Sequence, residues 1–168
     1  MSETPPNAAP NGHSAPSMRV FAQYLKDLSF ESPKAPMSFR PDSDAPAIDV
    51  NVDVNARALG QNQYEVELSV GARALRGEEV IFVVESAYAG MFQIENVPAE
   101  QLEPVMLVEC PRLLFPFIRQ IIADATRDGN FPPLMLEPID FFGIYQQRKA
   151  QGQSAQGAAA PIAQNGED

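Results

Sequence analysis

The sequence predicts an α+β fold, with an antiparallel sheet formed by the first half of the chain and helices by the second. Two observations carry this. From residue 48 to residue 74 apolar and polar residues alternate with a period of two, and from 114 to 125 apolar residues recur with a helical period. Strands that precede helices in the chain, rather than alternating with them, belong to antiparallel sheets.

The sheet is clearest at its centre. Ile48, Val50, Val52, Val54, Ala56 and Ala58 alternate with Asp49, Asn51, Asp53, Asn55 and Arg57. After Gly60-Gln61-Asn62-Gln63 the pattern restarts, with Tyr64, Val66, Leu68, Val70, Ala72 and Ala74 against Glu65, Glu67, Ser69, Gly71 and Arg73. Such alternation gives each strand one dry face and one wet face, and the short connection implies a hairpin. A third strand follows the Arg76-Gly77-Glu78 turn through Val80, Phe82, Val84 and Tyr88; Ile81 and Val83 make its other face partly apolar too.

Upstream, residues 26–31 alternate and place Asp27, Ser29 and Glu31 on one side. The preceding Val20, Phe21, Tyr24, Leu25 and Leu28 also fit a helix, so periodicity leaves this segment open. Pro33, Pro36, Pro41 and Pro46 then enforce a long irregular connection, of the kind that often carries function.

In the second half, Leu114, Phe115, Phe117, Ile118, Ile121, Ile122 and Ala125 form a broad apolar stripe. Pro111 is expected to start this helix, Gly129 to end it, and Pro116 to kink it or delay its start. A last helix is expected to begin near Pro138 and run through Phe141, Ile144 and Tyr145. Residues 1–17 are rich in Pro, Asn, Ala and Ser, and residues 151–168 in Gly, Ala and Gln. Neither can bury enough surface to offset the entropy of ordering, so both are expected to be disordered tails around a domain at 18–150.

Charge narrows the function. Twenty-two acids against 12 bases give a net charge of -10, which repels phosphate backbones and anionic lipid and favours basic partners. No window approaches the ~18 consecutive apolar residues of a membrane span, and no basic start followed by an apolar run marks a signal peptide. A cytoplasmic address is expected.

Catalysis finds little support. The single histidine, His13, sits in a proline-rich tail, and the single cysteine, Cys110, cannot form an intrachain disulfide. A helix start would lower the Cys110 pKa, but the residue reads better as a small buried apolar one. One Cys and one His make no metal cluster, and no phosphate-binding loop is present. Asp49 with Asp53, and Glu65 with Glu67, share strand faces as glycosidase carboxylates must, yet their place on polar faces points to solvated surface. What remains is surplus apolar surface. Phe21, Phe30, Phe39, Phe92, Phe131, Phe141, Phe142 and Tyr145 flank the proline-rich connection and the late helix. Each reads singly as core, but as a set they would line a groove.

Several segments together resemble the SecB family of protein-export chaperones. They are residues 26–33 (KDLSFESP), 88–92 (YAGMF), 110–117 (CPRLLFPF), 129–133 (GNFPP) and the stretch from Leu136 to Phe141. The resemblance covers about 19–148. It implies a SecB-like four-stranded antiparallel sheet with 26–31 as a strand, a long helix and a shorter C-terminal helix. It also implies a homotetramer, a dimer of dimers, with the 112–127 helices packed between sheets through Leu114, Ile118, Ile121 and Ile122.

The implied function is that of an ATP-independent holdase, with no cofactor, that keeps unfolded precursors fit for export and delivers them to the SecA motor. Motor contact would fall to Asp27, Glu31, Val83 and Glu85, and client binding to Ile48, Val50, Val52, Phe141, Ile144 and Tyr145. Val83 is smaller than the leucine common there, and Val84 stands where some members have cysteine. The competing expectations are a SecB-like chaperone dedicated to a toxin–antitoxin pair and a small-ligand carrier using the same apolar groove.

Overall fold

A computed structural model describes residues 14–40 and 44–157. Four strands, β1 (Ser17–Glu31), β2 (Ala47–Gly60), β3 (Gln63–Arg76) and β4 (Glu79–Glu95), form one antiparallel sheet in the order β1-β4-β3-β2. β2 and β3 close through Gln61 and Asn62, both at positive φ (51° and 59°), a turn whose twist suits a two-residue hairpin.

The open segment before residue 31 is strand throughout. β1 slips register twice against β4, between Val20 and Ala22 and between Leu25 and Asp27. Each slip leaves one residue, Phe21 and then Lys26, without a partner, and bulges of this kind re-aim side chains. After the second slip Asp27, Ser29 and Glu31 keep to one face, as the alternation predicts.

Helical structure begins earlier than expected. The path enters α1 (Ala99–Pro104), passes through a π-helical turn (Val105–Glu109) and continues as α2 (Cys110–Asp128). Pro111 sits in the first turn of α2, as expected, although the helical path has already begun at Ala99, and Pro116 lies inside α2 without delaying its start. The Cys110 N–H bonds the Val105 carbonyl five residues back. Such a wider turn just ahead of Pro111 suits a ring that lacks an N–H and crowds the preceding turn.

α2 lays Leu114, Ile118 and Ile122, all fully buried, against β4 and β3. Gly90 on β4 marks the closest approach, since a Cβ there would lie 2.7 Å from the Phe92 ring and 3.0 Å from Leu114. The side of the sheet that faces α2 carries Val66, Leu68, Val70, Phe82, Val84 and Phe92, all buried. Each such side chain contributes about 1.5–3 kcal/mol through burial.

At the far end of α2, Phe30, Phe82, Phe131 and Phe39 stack in sequence, with centroids 5.8 Å (Phe30–Phe82), 4.8 Å (Phe82–Phe131) and 5.2 Å (Phe39–Phe131) apart. The chain then returns along α2, held by the Leu134 N–H, which donates to the Thr126 hydroxyl at 2.9 Å. α3 (Phe141–Gly157) begins three residues after Pro138. Asp140 caps it by accepting from the Gly143 N–H at 3.0 Å. Arg148 on α3 donates to the Val54 carbonyl of β2 at 2.7 Å and pairs with Asp53.

The ordered elements reach past both expected domain limits. Ser17 pairs with Glu95, and α3 runs seven residues beyond position 150. The rest of the two expected tails, with His13, lies largely outside the described residues, as does Pro41 of the long connection.

Thr126 is fully buried and bonded on both sides, donating to the Ile122 and Ala123 carbonyls and accepting from Leu134. Thr126→Val keeps the shape but strands the Leu134 N–H. It is expected to lower stability by about 1–3 kcal/mol, read as a lower urea midpoint at unchanged slope.

Candidate functional site

The two faces of the sheet are unequal. α2 covers one; the other, here the outer face, has no helix over it among the described residues and is lined by the wet residues of each strand. Strand register brings Asp27, Glu31, Val83 and Glu85 together there: Glu31 lies opposite Val83, Glu85 opposite Ser29 and Asp27 opposite Ala87. The three carboxylates are exposed and Val83 is half-buried. None of the three belongs to an ion pair among the described residues. A shallow depression lined by Asp27, Asn51, Gly71 and Glu85, among others, continues this patch towards β2. The Asn51 side chain packs over Gly71, where a Cβ would lie 2.4 Å from its oxygen, so a larger residue at 71 would displace it.

Further along the same face the charges are neutralised. Glu65, expected as solvated surface, is buried with 5% exposure. It accepts from the Tyr24 hydroxyl at 2.6 Å and Arg57 Nε at 2.5 Å, and lies 3.4 Å from Lys26 Nζ, which also pairs with Glu67 at 2.5 Å. Lys26 reaches both from its bulge in β1, across β4. The Tyr24 hydrogen bond, joined by that from Arg57, outweighs burial and holds the Glu65 carboxyl below the usual carboxylate range. The same bond pushes the Tyr24 phenol up. Opposite charges facing across a hairpin, Arg57 and Glu65, were the readable signal of this cluster.

The expected client and assembly residues are divided by the structure. On β2, Ile48 and Val50 are exposed (38% and 48%) and Val52 is half-buried; all three point to the helix side, beyond the cover of α2. Phe39 and Met37 in the connection before β2, and Met135 after α2, add exposed apolar surface. Phe141 and Tyr145, by contrast, are core residues of α3, with 1% and 8% exposure, and Ile144 is half-buried. Those two aromatics offer a client no surface in this chain.

Likewise Leu114, Ile118 and Ile122 are consumed by their own sheet. Of the expected assembly set only Ile121 is half-buried rather than fully buried; it lies on the flank of α2 beside Leu113 and Phe117, which are exposed (42% and 46%). Phe117 stacks on Tyr88 of β4 at 5.7 Å, and Met18, Leu25 and Leu28 leave β1 exposed on the same side of the sheet. The helical stripe was broad because α2 is apolar on two sides, and periodicity alone does not say which side meets its own sheet.

Other candidate chemistry resolves simply. Cys110 is fully buried, its thiol 3.6 Å from Met18 sulfur, and burial pushes its pKa up to about 12, which leaves no nucleophile. Asp53 is engaged by Arg148, so it does not form a free pair with Asp49. Among the described residues no group of three or more potential ligands gathers for a metal, and no helix is long and apolar enough to cross a membrane.

A sheet with apolar residues left uncovered on one face and unpaired acids on the other offers two binding surfaces, which suits a protein that binds other chains. The family model of SecB, the preprotein translocase subunit, matches residues 11–152. The protein-export protein SecB of Maricaulis maris is 53% identical over 96% of this chain and 92% of its own. That of Rhodopseudomonas palustris (strain BisA53) is 55% identical over 86% and 87%, and that of Bradyrhizobium diazoefficiens 51% over 93% and 94%. The chain belongs to the SecB family. In fold it is similar to a SecB-like chaperone from Mycobacterium tuberculosis solved with a peptide of an antitoxin, at 19% identity and TM-score 0.61, over 73% of this chain and 90% of that one.

Glu65 gives a pH prediction. Because its folded pKa is depressed, its contribution to stability is present above the ordinary carboxylate value near 4.5 and is lost as pH falls through the lower folded value. Glu65→Gln is expected to reduce stability at neutral pH and to flatten the acid limb of the unfolding midpoint plotted against pH.

Proposed function

We propose that the chain is an ATP-independent cytoplasmic holdase of protein export. It grips unfolded precursors on the apolar helix-side surface around β2 and hands them to the SecA motor docked on the outer face. The observation that carries this reading is the separation of the two surfaces. Exposed Ile48 and Val50 lie on one face of the sheet, and Asp27, Glu31 and Glu85 lie on the other. Client and motor can then be held at once, as a handover requires.

The client surface in this reading is Ile48, Val50 and Val52 together with Phe39, Met37 and Met135, rather than the buried aromatics of α3. An extended chain laid there would bury side chains worth about 1.5–3 kcal/mol each before binding costs. Several weak sites used together hold a chain tightly with little sequence preference. Holding the unfolded form lowers its free concentration, which opposes both folding and aggregation by mass action. No bond is made or broken, and no cofactor is needed.

The motor surface is three carboxylates around the apolar Val83, suited to a basic segment with an apolar anchor. Assembly into a dimer of dimers would use Leu113, Phe117 and Ile121 on the outward side of α2, with Met18, Leu25 and Leu28 of β1.

Glu31→Lys and Glu85→Lys are each expected to weaken SecA binding about tenfold or more at low salt while sparing capture of a reduced, unfolded precursor, both measured by calorimetric titration. Val50→Asp should do the reverse. Equal affinity for folded and unfolded precursor would overturn the holdase reading, and an exclusive grip on one antitoxin would favour a dedicated chaperone.

Phe117→Asp is expected to lower the solution mass below that of the tetramer by light scattering, with near-native circular dichroism. Leu114→Asp should unfold the chain instead. An unchanged mass for Phe117→Asp would count against the assembly surface.

A further inference from the structure

An arginine, Arg73, stands within the acidic patch. A depression in it is lined by Asp49, Asn51, Arg73, Val83 and Glu85, among others. Arg73 lies on β3 directly across the strand pairing from Asp49 on one side and from Val83 on the other, and its side chain is exposed. Opposite charges facing each other on neighbouring strands ordinarily attract. Here they do not close: neither Arg73 nor Asp49 nor Glu85 belongs to any ion pair among the described residues. Elsewhere on this face Lys26 and Arg57 are both engaged by carboxylates, while Arg19, at the other end of the sheet opposite Gln93, like Arg73 belongs to no ion pair among the described residues.

The guanidinium of Arg73 thus keeps its donors free within an acidic depression. A docked segment that carried only basic residues would bring a like charge onto it, which costs binding. A carboxylate would instead meet a planar fork that matches it with two parallel hydrogen bonds.

We infer that the partner of the acidic face presents one carboxylate set among its basic residues, and that Arg73 holds this carboxylate while Asp49 and Glu85 hold the cations flanking it. The inference rests on the proposed docking of the motor. It adds register: a uniform acidic field attracts a basic segment in many alignments, whereas a plus charge between minus charges selects one.

The test is titration of the full chain with the SecA motor, comparing wild type with Arg73→Ala, Arg73→Lys and Glu85→Lys. Solution mass and thermal unfolding serve as controls, and Arg73, exposed and without an ion-pair partner, is not expected to disturb either. Arg73→Ala is expected to weaken binding about three- to tenfold, the loss of one charge-assisted contact at a partly exposed site. Arg73→Lys, a point charge without the fork, should recover only part of it. Unchanged or tighter binding by Arg73→Ala, with Glu85→Lys still weakened, would overturn the inference and leave the docking reading standing. Absence of motor binding by wild type, or indifference to Glu85→Lys, would remove the docking reading itself and the inference with it.

Discussion

One geometric constraint organises this molecule: a single helix has to cover a four-stranded sheet. A helix with its side chains is about 10–12 Å across, and strands lie about 4.8 Å apart, so α2 shelters roughly two of them. It lies over β4 and β3, where Leu114, Ile118 and Ile122 close the core. The outer strands carry the same alternating pattern with nothing over part of it. Ile48 and Val50 at one margin, and Leu25 and Leu28 at the other, remain exposed as a result. The uncovered apolar surface follows from proportions, not from a local defect.

The other face shows how charge can be either spent internally or kept available. Glu65 sits in a cage of donors drawn from β1 and β2, which ties three strands together. Asp27, Glu31 and Glu85 have no such partners, although they lie on the same sheet and the same face. Internal pairing stabilises the sheet; the unpaired acids leave a field that reaches solvent and is screened by salt.

How much of this was legible varies with the physics of each element. The hairpin of β2 and β3 was plain because their pairing slips only between Ala58 and Gly60, beside the turn, so period two survives along nearly the whole of both strands. β1 was ambiguous for a definite reason. Its two bulges insert Phe21 and Lys26, and the apolar residues then fall at 20, 21, 24, 25 and 28, a spacing that imitates a helix. The family resemblance, carried by residues 26–33, supplied what periodicity withheld. α1 went unseen because Pro111 read as the start of the helix, whereas a π-helical turn carries the path from Ala99 into α2 ahead of that proline. Of the site, the acidic quartet came from the family resemblance, and strand register brings its four residues to one face. The assignments of Phe141, Tyr145, Leu114, Ile118 and Ile122 met burial that periodicity cannot see, since apolar residues on a two-sided helix look alike until a sheet chooses between them.

The contact of Arg148 with the Val54 carbonyl has a consequence for self-restraint. β2 is a marginal strand of the sheet, and a marginal strand exposes backbone groups on which foreign chains can template fibrils. By occupying one of those carbonyls from α3, the guanidinium interrupts the row of vacant acceptors. A protein that spends its life beside sticky, unfolded chains thereby avoids being drafted into their aggregates.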